Sequence, residues 1–326
     1  MSLSVRPYDR TEADAWDHFC IDSLQATLLH TRLFLSYHGD RFIDRSLVIE
    51  DDGKCVGLFP VALAPDNATW VMSHPGVTYG GVLHQGNLRG ERMVRAMAEI
   101  CRYYRSQGHT KLTYKAVPSF YHRAPAQDDL YALFRLGAVR SRCDLSCTID
   151  LQHRLPVSDR RRRSQKRATK AGVEIVEGRQ HLSALWLVLT ENLASKHGVA
   201  PVHSLEEIAL LADRFPHHIR CVCAHLSGQT VAGVLLFITP TAHHAQYIAS
   251  GDKGYEVSAL DLVFEHCVEK AGKEGRRWFD FGMSNENQGR LLNEGLFRFK
   301  SEFGGGGAVH EFYELNLSRG EYYGAD

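Results

Sequence analysis

The sequence has no long apolar segment. Its longest uninterrupted aliphatic stretch, Val231 to Ile238, is far shorter than the roughly 20 residues that a membrane-spanning helix needs. The first residues, MSLSVRPYDRTEADAW, contain no apolar core of the kind that defines a secretory signal peptide. We therefore expect a soluble, cytoplasmic protein without a membrane span.

Two common patterns for metal or redox sites, CxxC and HExxH, are also missing, although the chain has 8 cysteines and 18 histidines. The closest cysteine pairs are Cys143/Cys147 and Cys221/Cys223. The adjacent residues His243 and His244 point to opposite faces of a strand, which is a poor geometry for chelation. We expect reduced and mostly buried thiols, no metal site and no cofactor.

Net charge is absent as well, because Lys+Arg and Asp+Glu both number 38 and the formal net charge is zero. This balance excludes a protein that coats polyanions with its whole surface, but it leaves room for local basic patches. Hydrophobic residues make up 44% and charged residues 23% of the chain, which is the ordinary mixture of a globular α/β protein.

A repeated order of elements is present instead. Hydrophobic periodicity predicts the order β-α-α-β-β-β-α-β-α-β in the first half, and the second half repeats it after an additional basic helix at 158–171. Gly108 and Gly275 both stand between a helix and a strand, 167 residues apart, and Gly137 and Gly304 have the same separation. We predict an α/β protein with mixed sheets, in which a duplication produced domains at residues 1–150 and 151–326.

This order is that of the N-acetyltransferase (GNAT) plan, and two such halves in one chain resemble the FemAB-like, or Fem-type, aminoacyltransferases. The resemblance spans nearly the whole chain, and each of its motifs is short. They are HAQY at 244–247, SALD at 258–261, FDFG at 279–282, FKSEFG at 299–304, SHPGVTYGG at 73–81 and PSFYH at 118–122.

The resemblance implies transfer of an acyl group to an amine in a V-shaped opening between splayed strands. Fem-type enzymes use aminoacyl-tRNA as the donor, whereas other GNAT proteins use acyl-CoA. The glycine-rich turn Q/R-x-x-G-x-G/A of acyl-CoA binders is missing from Ser250–Ala259, where its amides would hold pyrophosphate. This absence favours aminoacyl-tRNA and leaves acyl-CoA as the alternative, and neither reaction needs a metal.

Three residues are predicted to be catalytic. Lys300 matches the lysine that lies at the acyl-transfer centre of Fem-type enzymes, and its ammonium can stabilise an oxyanion. Asp280, between aromatic residues of a predicted strand, either accepts a proton from the amine or has a structural role. Tyr247 can donate a proton to the leaving group, and a half-buried core tyrosine is the alternative.

Seven further residues are predicted to bind substrates. The second half, which we expect to be catalytic, contributes polar residues of the loop after its last central strand, the aromatic residue before Lys300, and a histidine before a helix cap. The first half, which we expect to be degenerate and to bind the acceptor, contributes residues of its glycine-rich loop and of a tyrosine-histidine pair. They are Phe299, Ser284, Glu286 and His203, and His74, Tyr79 and Tyr121. A tight structural turn or a residue without special function is the alternative at each position.

The strongest charge feature is the run of four arginines at 160–163 and the cations after it. Helical spacing places Arg163, Lys166, Arg167 and Lys170 on one face, which we predict to contact tRNA phosphates; a solvated face is the alternative. The sequence as a whole predicts an acyltransferase that joins an aminoacyl group to the amine of a peptide, muropeptide-like or natural-product acceptor. The alternatives are an acyl-CoA-dependent N-acyltransferase and a non-catalytic RNA- or ligand-binding module.

Overall fold

The computed structural model describes residues 3–318, the side chains of residues 196 and 197 excepted. Fifteen strands and ten α-helices form in this part of the chain. The strands are β1 Leu3–Pro7, β2 Leu47–Asp51, β3 Lys54–Phe59, β4 Ala62–Ala64, β5 Asn67–Met72, β6 Lys111–Lys115, β7 Val139–Asp150, β8 Glu174–Glu177, β9 Ile219–Leu226, β10 Gln229–Ile238, β11 Ala242–Ser250, β12 Trp278–Met283, β13 Asn285–Glu286, β14 Leu291–Leu292 and β15 Gly306–Asn316. The helices are α1 Ala13–Asp22, α2 Arg32–Leu35, α3 Glu91–Ser106, α4 Asp128–Arg135, α5 Asp159–Lys170, α6 Leu182–His197, α7 Leu205–Arg214, α8 Asp252–Val257, α9 Ala259–Lys273 and α10 Glu294–Ser301.

Local sequence signals account for most of these boundaries. The sequence SLEE at 204–207 predicts a capping box, and it opens α7, because Ser204 Oγ accepts from Glu207 N at 3.2 Å and Glu207 Oε2 accepts from Ser204 N at 3.0 Å. Hydrophobic periodicity also predicts a strand over 55–62 and a helix over 291–303, and both differ from the structure. The strand is interrupted at Pro60, which has no N–H for a strand ladder, and the helix begins only at Glu294, after the cap Asn293.

The first compact unit contains residues 3–144, 287–290 and 309–318 of the described chain. One of its sheets has the antiparallel order β1-β2-β3, and its other strands follow the order β4-β5-β6-β15. Helix α3 buries Met93, Met97 and Ile100 against this core, which also contains Tyr114 and Leu315. The hydroxyl of Tyr114 donates to Asp129 at 2.6 Å, so that both buried polar groups have a partner.

The second compact unit contains residues 145–286 and 291–308. Its strands follow the order β7-β12-β11-β10-β9-β8, in which only β11 and β12 are parallel neighbours. Helix α9 packs Phe264 against Phe281 and Phe303, with ring centroids 4.8 and 5.3 Å apart. These edge-on aromatic contacts form the centre of the core beneath the candidate site.

The final strands of the two halves are exchanged between the units. Residues 312–316 of β15, from the end of the chain, pair with Lys111–Lys115 of β6 in the first unit. Residues 146–150 of β7, from the end of the first half, pair with β12 in the second unit. The units therefore do not correspond to two uninterrupted halves, and the functional division at residue 150 stays a prediction.

None of the helices that residues 3–318 form has the length and hydropathy to cross a membrane.

The exchange predicts where a mutation in the last strand destabilises the protein. Leu315 is 1% exposed in the core of the first unit, whereas Val309 of the same strand is 46% exposed. We expect Leu315→Ala to lower the free energy of unfolding by about 2–5 kcal/mol and to accelerate hydrogen exchange of β6 amides. Val309→Ala is the matched control and should change the free energy by less than about 1 kcal/mol. Faster hydrogen exchange confined to the amides of β9 and β10 would contradict the pairing of β15 with β6.

Candidate active site

The parallel strands β11 and β12 separate part-way along their length. They pair only where Ala242–His244 lies beside Trp278–Asp280, although β11 continues to Ser250 and β12 to Met283. A bulge at Gln246 also shifts the register of β11 against β10. The strands therefore stop pairing at their carboxyl ends, which is where open α/β sheets bind ligands.

Lys300 of α10 is buried at this strand end. Its side chain is 3% exposed, and Nζ donates to the carbonyl oxygens of Gly282 at 2.9 Å and Met283 at 2.8 Å. Burial lowers the pKa of Lys300 to about 8, and the negative charge of Asp280 opposes this shift. The ammonium is thus held in a fixed position by two carbonyls that follow Asp280 in the sequence.

The carboxylate of Asp280 is fully buried and accepts from four donors. His244 Nδ1 lies 2.6 Å from Oδ2, and Oδ1 accepts from Thr148 Oγ1 at 2.9 Å, from Gly282 N at 3.2 Å and from Ser146 Oγ. These four donors satisfy the oxygens of the buried carboxylate. It therefore fixes a tautomer in which His244 Nδ1 carries the proton and Nε2 is the basic nitrogen.

His244 was not predicted as a site residue. In the sequence it is the first residue of the motif HAQY and one of two adjacent histidines; in the structure, His243 pairs with Glu274 and His244 with Asp280. The register that pairs His244 with Asp280 is a long-range property of the sheet. A histidine one strand away from a buried aspartate was the signal available in the sequence.

The segment Asp280–Met283 brings the histidine and the lysine together. Gly282 has a φ of +77°, and a Cβ atom there would lie 3.4 Å from His244 Cε1. Its amide donates to Asp280 while its carbonyl accepts from Lys300. One tight turn thus supports both charged groups, and we call His244, Asp280 and Lys300 the reaction centre.

Tyr247 and His203 form a second polar contact further along β11. Tyr247 Oη lies 2.5 Å from His203 Nδ1, and the Trp186 ring packs edge-on against Tyr247 at 4.9 Å. Burial raises the pKa of Tyr247 to about 12. At neutral pH this hydroxyl is a hydrogen-bond donor and a weak acid. The structure thus brings two predicted site residues, Tyr247 and His203, into contact.

The other predicted residues of the second unit surround helix α10. Ser284 is 2% exposed and its Oγ has no hydrogen-bond partner among the described residues. Exposed Glu286 accepts from Asn293, the cap of α10, at 3.0 Å. Phe299 packs on Phe303, with ring centroids 5.4 Å apart, so its contacts are those of a core residue. Substrate binding by Ser284, Glu286 and Phe299 stays a prediction.

The predicted residues of the first unit lie mostly in its interior. Tyr79 and Tyr121 are 4% and 1% exposed, with ring centroids 4.8 Å apart. His74 borders a cavity of about 490 Å³ that Arg32 and His38 also line, and burial lowers the pKa of His74 to about 2. Among the three, His74 is thus the residue that the structure places beside a cavity.

The loop that contains His74 is hydrogen-bonded to the end of a parallel strand pair of the first unit. Strands β5 and β6 are parallel like β11 and β12, but Gly80 N donates to Lys115 O at 3.0 Å. Lys115 Nζ donates to the carbonyls of His74, at 2.9 Å, and Val77. Burial lowers the pKa of Lys115 to about 7. The first unit is therefore closed at this point by its own chain.

The predicted basic face lies on the exposed side of α5. Arg163, Lys166, Arg167 and Lys170 are all exposed, and none has an ion pair with another residue of the described range. The neighbouring Arg161 points inward and is 4% exposed. Groups of three or more side chains suited to hold a metal ion are also absent from residues 3–318.

The start of α9, where acyl-CoA binders hold pyrophosphate, directly follows another helix and carries a paired acidic side chain. Helix α8 precedes it directly through Ser258, whose φ is +59°. In its first turn, buried Asp261 accepts from Arg161 Nη1 at 2.7 Å. An acidic side chain already compensates the positive end of this helix, which makes it less suited to a diphosphate.

Comparisons agree with this geometry. A family model described as an acetyltransferase (GNAT) domain matches residues 157–301. The solved structure of FemX superposes with a TM-score of 0.66 at 12% identity and 97% coverage of both chains. The fold is the FemAB-like GNAT acyltransferase fold. L-PGS from Bacillus licheniformis has a TM-score of 0.63 at 13% identity, covering 96% of this chain and 93% of its own.

A tandem GNAT protein from the clavulanic acid biosynthesis pathway has a TM-score of 0.53 at 14% identity. The superposition covers 98% of this chain and 100% of the chain of that protein. This likeness supports the tandem GNAT arrangement expected from the repeat. No curated protein matches the chain in sequence. The match to the GNAT domain model supports an acyltransferase, and the solved structures share the fold.

Removal of the buried ammonium should stop catalysis without unfolding the protein. We expect Lys300→Met to lower kcat by about 10²–10³-fold, the usual cost of losing an oxyanion donor, with circular dichroism unchanged. Arg298→Met, which removes an exposed cation from the same helix, is the control. Since the pKa of Lys300 is about 8 and the ammonium form is needed, wild-type kcat should fall as pH rises through that value. Full turnover by Lys300→Met would refute the assignment.

His244 and Asp280 should act as one unit. We expect His244→Ala to lower kcat by about 10²–10⁴-fold and Asp280→Asn to lower it severalfold or more, because the ring then loses its orientation. The double variant should be no worse than His244→Ala. Exposed His217→Ala serves as the control. Additive losses in steady-state kinetics would mean that the two residues act independently.

Proposed function

We propose that this protein is an acyltransferase that transfers an aminoacyl group from aminoacyl-tRNA to the amine of a peptide, muropeptide-like or natural-product acceptor. The observation that carries the proposal is the buried ammonium of Lys300 beside the Asp280–His244 pair, at the end of strands that have separated. Amide formation from an ester needs a base for the amine and a cation for the oxyanion. The reaction centre contains one of each.

In the proposed mechanism, His244 transfers the proton and Lys300 stabilises the oxyanion. The acceptor amine attacks the ester carbonyl of the donor while His244 Nε2 takes a proton from the nitrogen. Lys300 Nζ, with two protons held by carbonyls, directs its remaining proton at the tetrahedral oxyanion. The C–O bond to the ribose then breaks, and the imidazolium returns a proton to the leaving oxygen. The products are an amide and an uncharged tRNA.

Two features favour an RNA donor over acyl-CoA. The start of α9 carries the Asp261–Arg161 ion pair, with 2.7 Å between Oδ1 and Nη1, in place of a glycine-rich turn. The exposed cations Arg163, Lys166, Arg167 and Lys170 offer a phosphate-binding face on the same unit as the reaction centre. Acyl-CoA is the second candidate donor because the matching family model is that of an acetyltransferase.

A non-catalytic binding module is less compatible with the site. The buried Lys300 and Asp280 are held in fixed positions by hydrogen bonds with the backbone and with His244. Here both groups lie next to one strand end, where the GNAT plan carries out acyl transfer. Acceptor binding by the first unit stays a prediction, for which the aromatic residues Tyr79 and Tyr121 and the cavity residue His74 are candidate contacts.

A side-by-side assay distinguishes the donors. The protein is incubated with an amine acceptor mixture and either charged bulk tRNA or acetyl-CoA, and mass spectrometry identifies new amides. We expect aminoacyl products and release of uncharged tRNA, both absent with Lys300→Met. Acetylated products with free CoA would support the second candidate, and saturable binding without any product would support the non-catalytic module.

The basic face should determine how strongly tRNA binding depends on salt. Replacing Arg163, Lys166, Arg167 and Lys170 by Gln removes four cations, and each lost phosphate contact lowers the slope of log K against log salt by about 0.7–0.9. We therefore expect weaker binding and a clearly flatter salt dependence in filter-binding assays. Exposed Lys54→Gln should leave the slope unchanged. An identical slope in the fourfold variant would show that the face is only solvated.

A further inference from the structure

Helix α5 has an inward face that is distinct from its basic surface. Arg161, Ser164 and Ala168 are buried, at intervals of three and four residues, whereas the four exposed cations lie on the outside. A fully buried arginine within a run of exposed ones requires partners of opposite charge. Its contacts therefore decide what this face of the helix does.

The guanidinium of Arg161 joins three helices. Nη1 donates to Asp261 Oδ1 in the first turn of α9 at 2.7 Å, and Nε donates to Glu302 Oε2, immediately after α10, at 2.9 Å. Its central carbon also lies 4.7 Å from the ring centroid of Phe299 and 5.4 Å from that of Phe303. Carboxylate and aromatic contacts of this kind fix the plane of a guanidinium.

These contacts surround Lys300 in sequence. Phe299 precedes the lysine, and Glu302 and Phe303 follow it, so that Arg161 touches both sides of the residue that points into the reaction centre. The backbone reinforces this arrangement, since Ser158 N donates to Glu302 O at 2.9 Å and Arg154 Nε donates to Phe303 O at 3.0 Å. The carboxyl end of α10 is thus held by residues that precede and begin α5.

We propose that Arg161 is a positioning residue for Lys300, which holds α10 at the rotation that keeps the ammonium on the carbonyls of Gly282 and Met283. Arg161 does not touch the reacting atoms in this assignment. It acts through Glu302 and the two phenylalanines, and it connects the helix with the phosphate-binding face to the helix with the catalytic cation. The inference rests on the proposed role of Lys300.

The experiment compares Arg161→Met with Arg161→Lys, which keeps the charge but lacks the planar fork. Exposed Arg162→Met is the matched control from the same helix. For each folded variant, NMR of lysines labelled at Cε measures the pKa of Lys300, assigned with Lys300→Met, and steady-state assays measure kcat and KM for the charged tRNA.

We expect Arg161→Met to move the pKa of Lys300 from about 8 toward the ordinary lysine value and to lower kcat by about 10²-fold, the cost of a small misplacement of a catalytic group, with KM little changed. Arg161→Lys should change the pKa of Lys300 and kcat less than Arg161→Met does. An unchanged Lys300 pKa and kcat in a folded variant would overturn the proposal, and so would a rise in KM alone, since this would place Arg161 on the donor. If Arg161→Met does not fold, the pKa of Lys300 and kcat of Arg161→Lys test the proposal instead.

The two hypotheses can fail separately. If wild-type protein transfers no acyl group from any donor, the proposed function is wrong, but the titration of Lys300 still tests whether Arg161 positions it. If transfer occurs and the Arg161 variants leave both the titration and kcat unchanged, only the positioning role is wrong.

Discussion

The geometry of the reaction centre depends on one interaction, the burial of the Lys300 ammonium on two backbone carbonyls. A charge that is 3% exposed needs polar partners, and the turn Gly282–Met283 provides them only because β12 ends there. The same turn donates an amide to Asp280, which in turn orients His244. A cation, a carboxylate and an imidazole are therefore held by one short segment, before any substrate binds.

The two units use a buried lysine in opposite ways. In the first unit, Lys115 holds the loop 73–81 across the end of β5 and β6. In the second unit, Lys300 comes from a helix and leaves β11 and β12 apart. A buried lysine thus donates to backbone carbonyls in both units, on a loop in the first and at a strand end in the second.

Much of this fold could be predicted from the sequence, because hydrophobic periodicity and capping residues act locally. Periodicity predicts strands over 111–115 and 220–226 and a helix over 158–171, and β6, β9 and α5 lie within a residue of these ranges. Three features depend on long-range register instead: the pairing of His244 with Asp280, the exchange of β7 and β15, and the inward direction of Arg161. Spacing along one chain does not contain that information, since each depends on which strand or helix becomes the neighbour.

The most direct test is a crystal structure with a stable donor analogue, a short RNA acceptor stem whose terminal ester is replaced by an amide. If the reaction centre works as described, the analogue's carbonyl oxygen should lie about 3 Å from Lys300 Nζ, the distance of an oxyanion donor, with His244 Nε2 facing the side from which an amine would approach. A carbonyl beyond hydrogen-bonding reach of Lys300, with the RNA bound and the protein fold unchanged, would contradict the central claim.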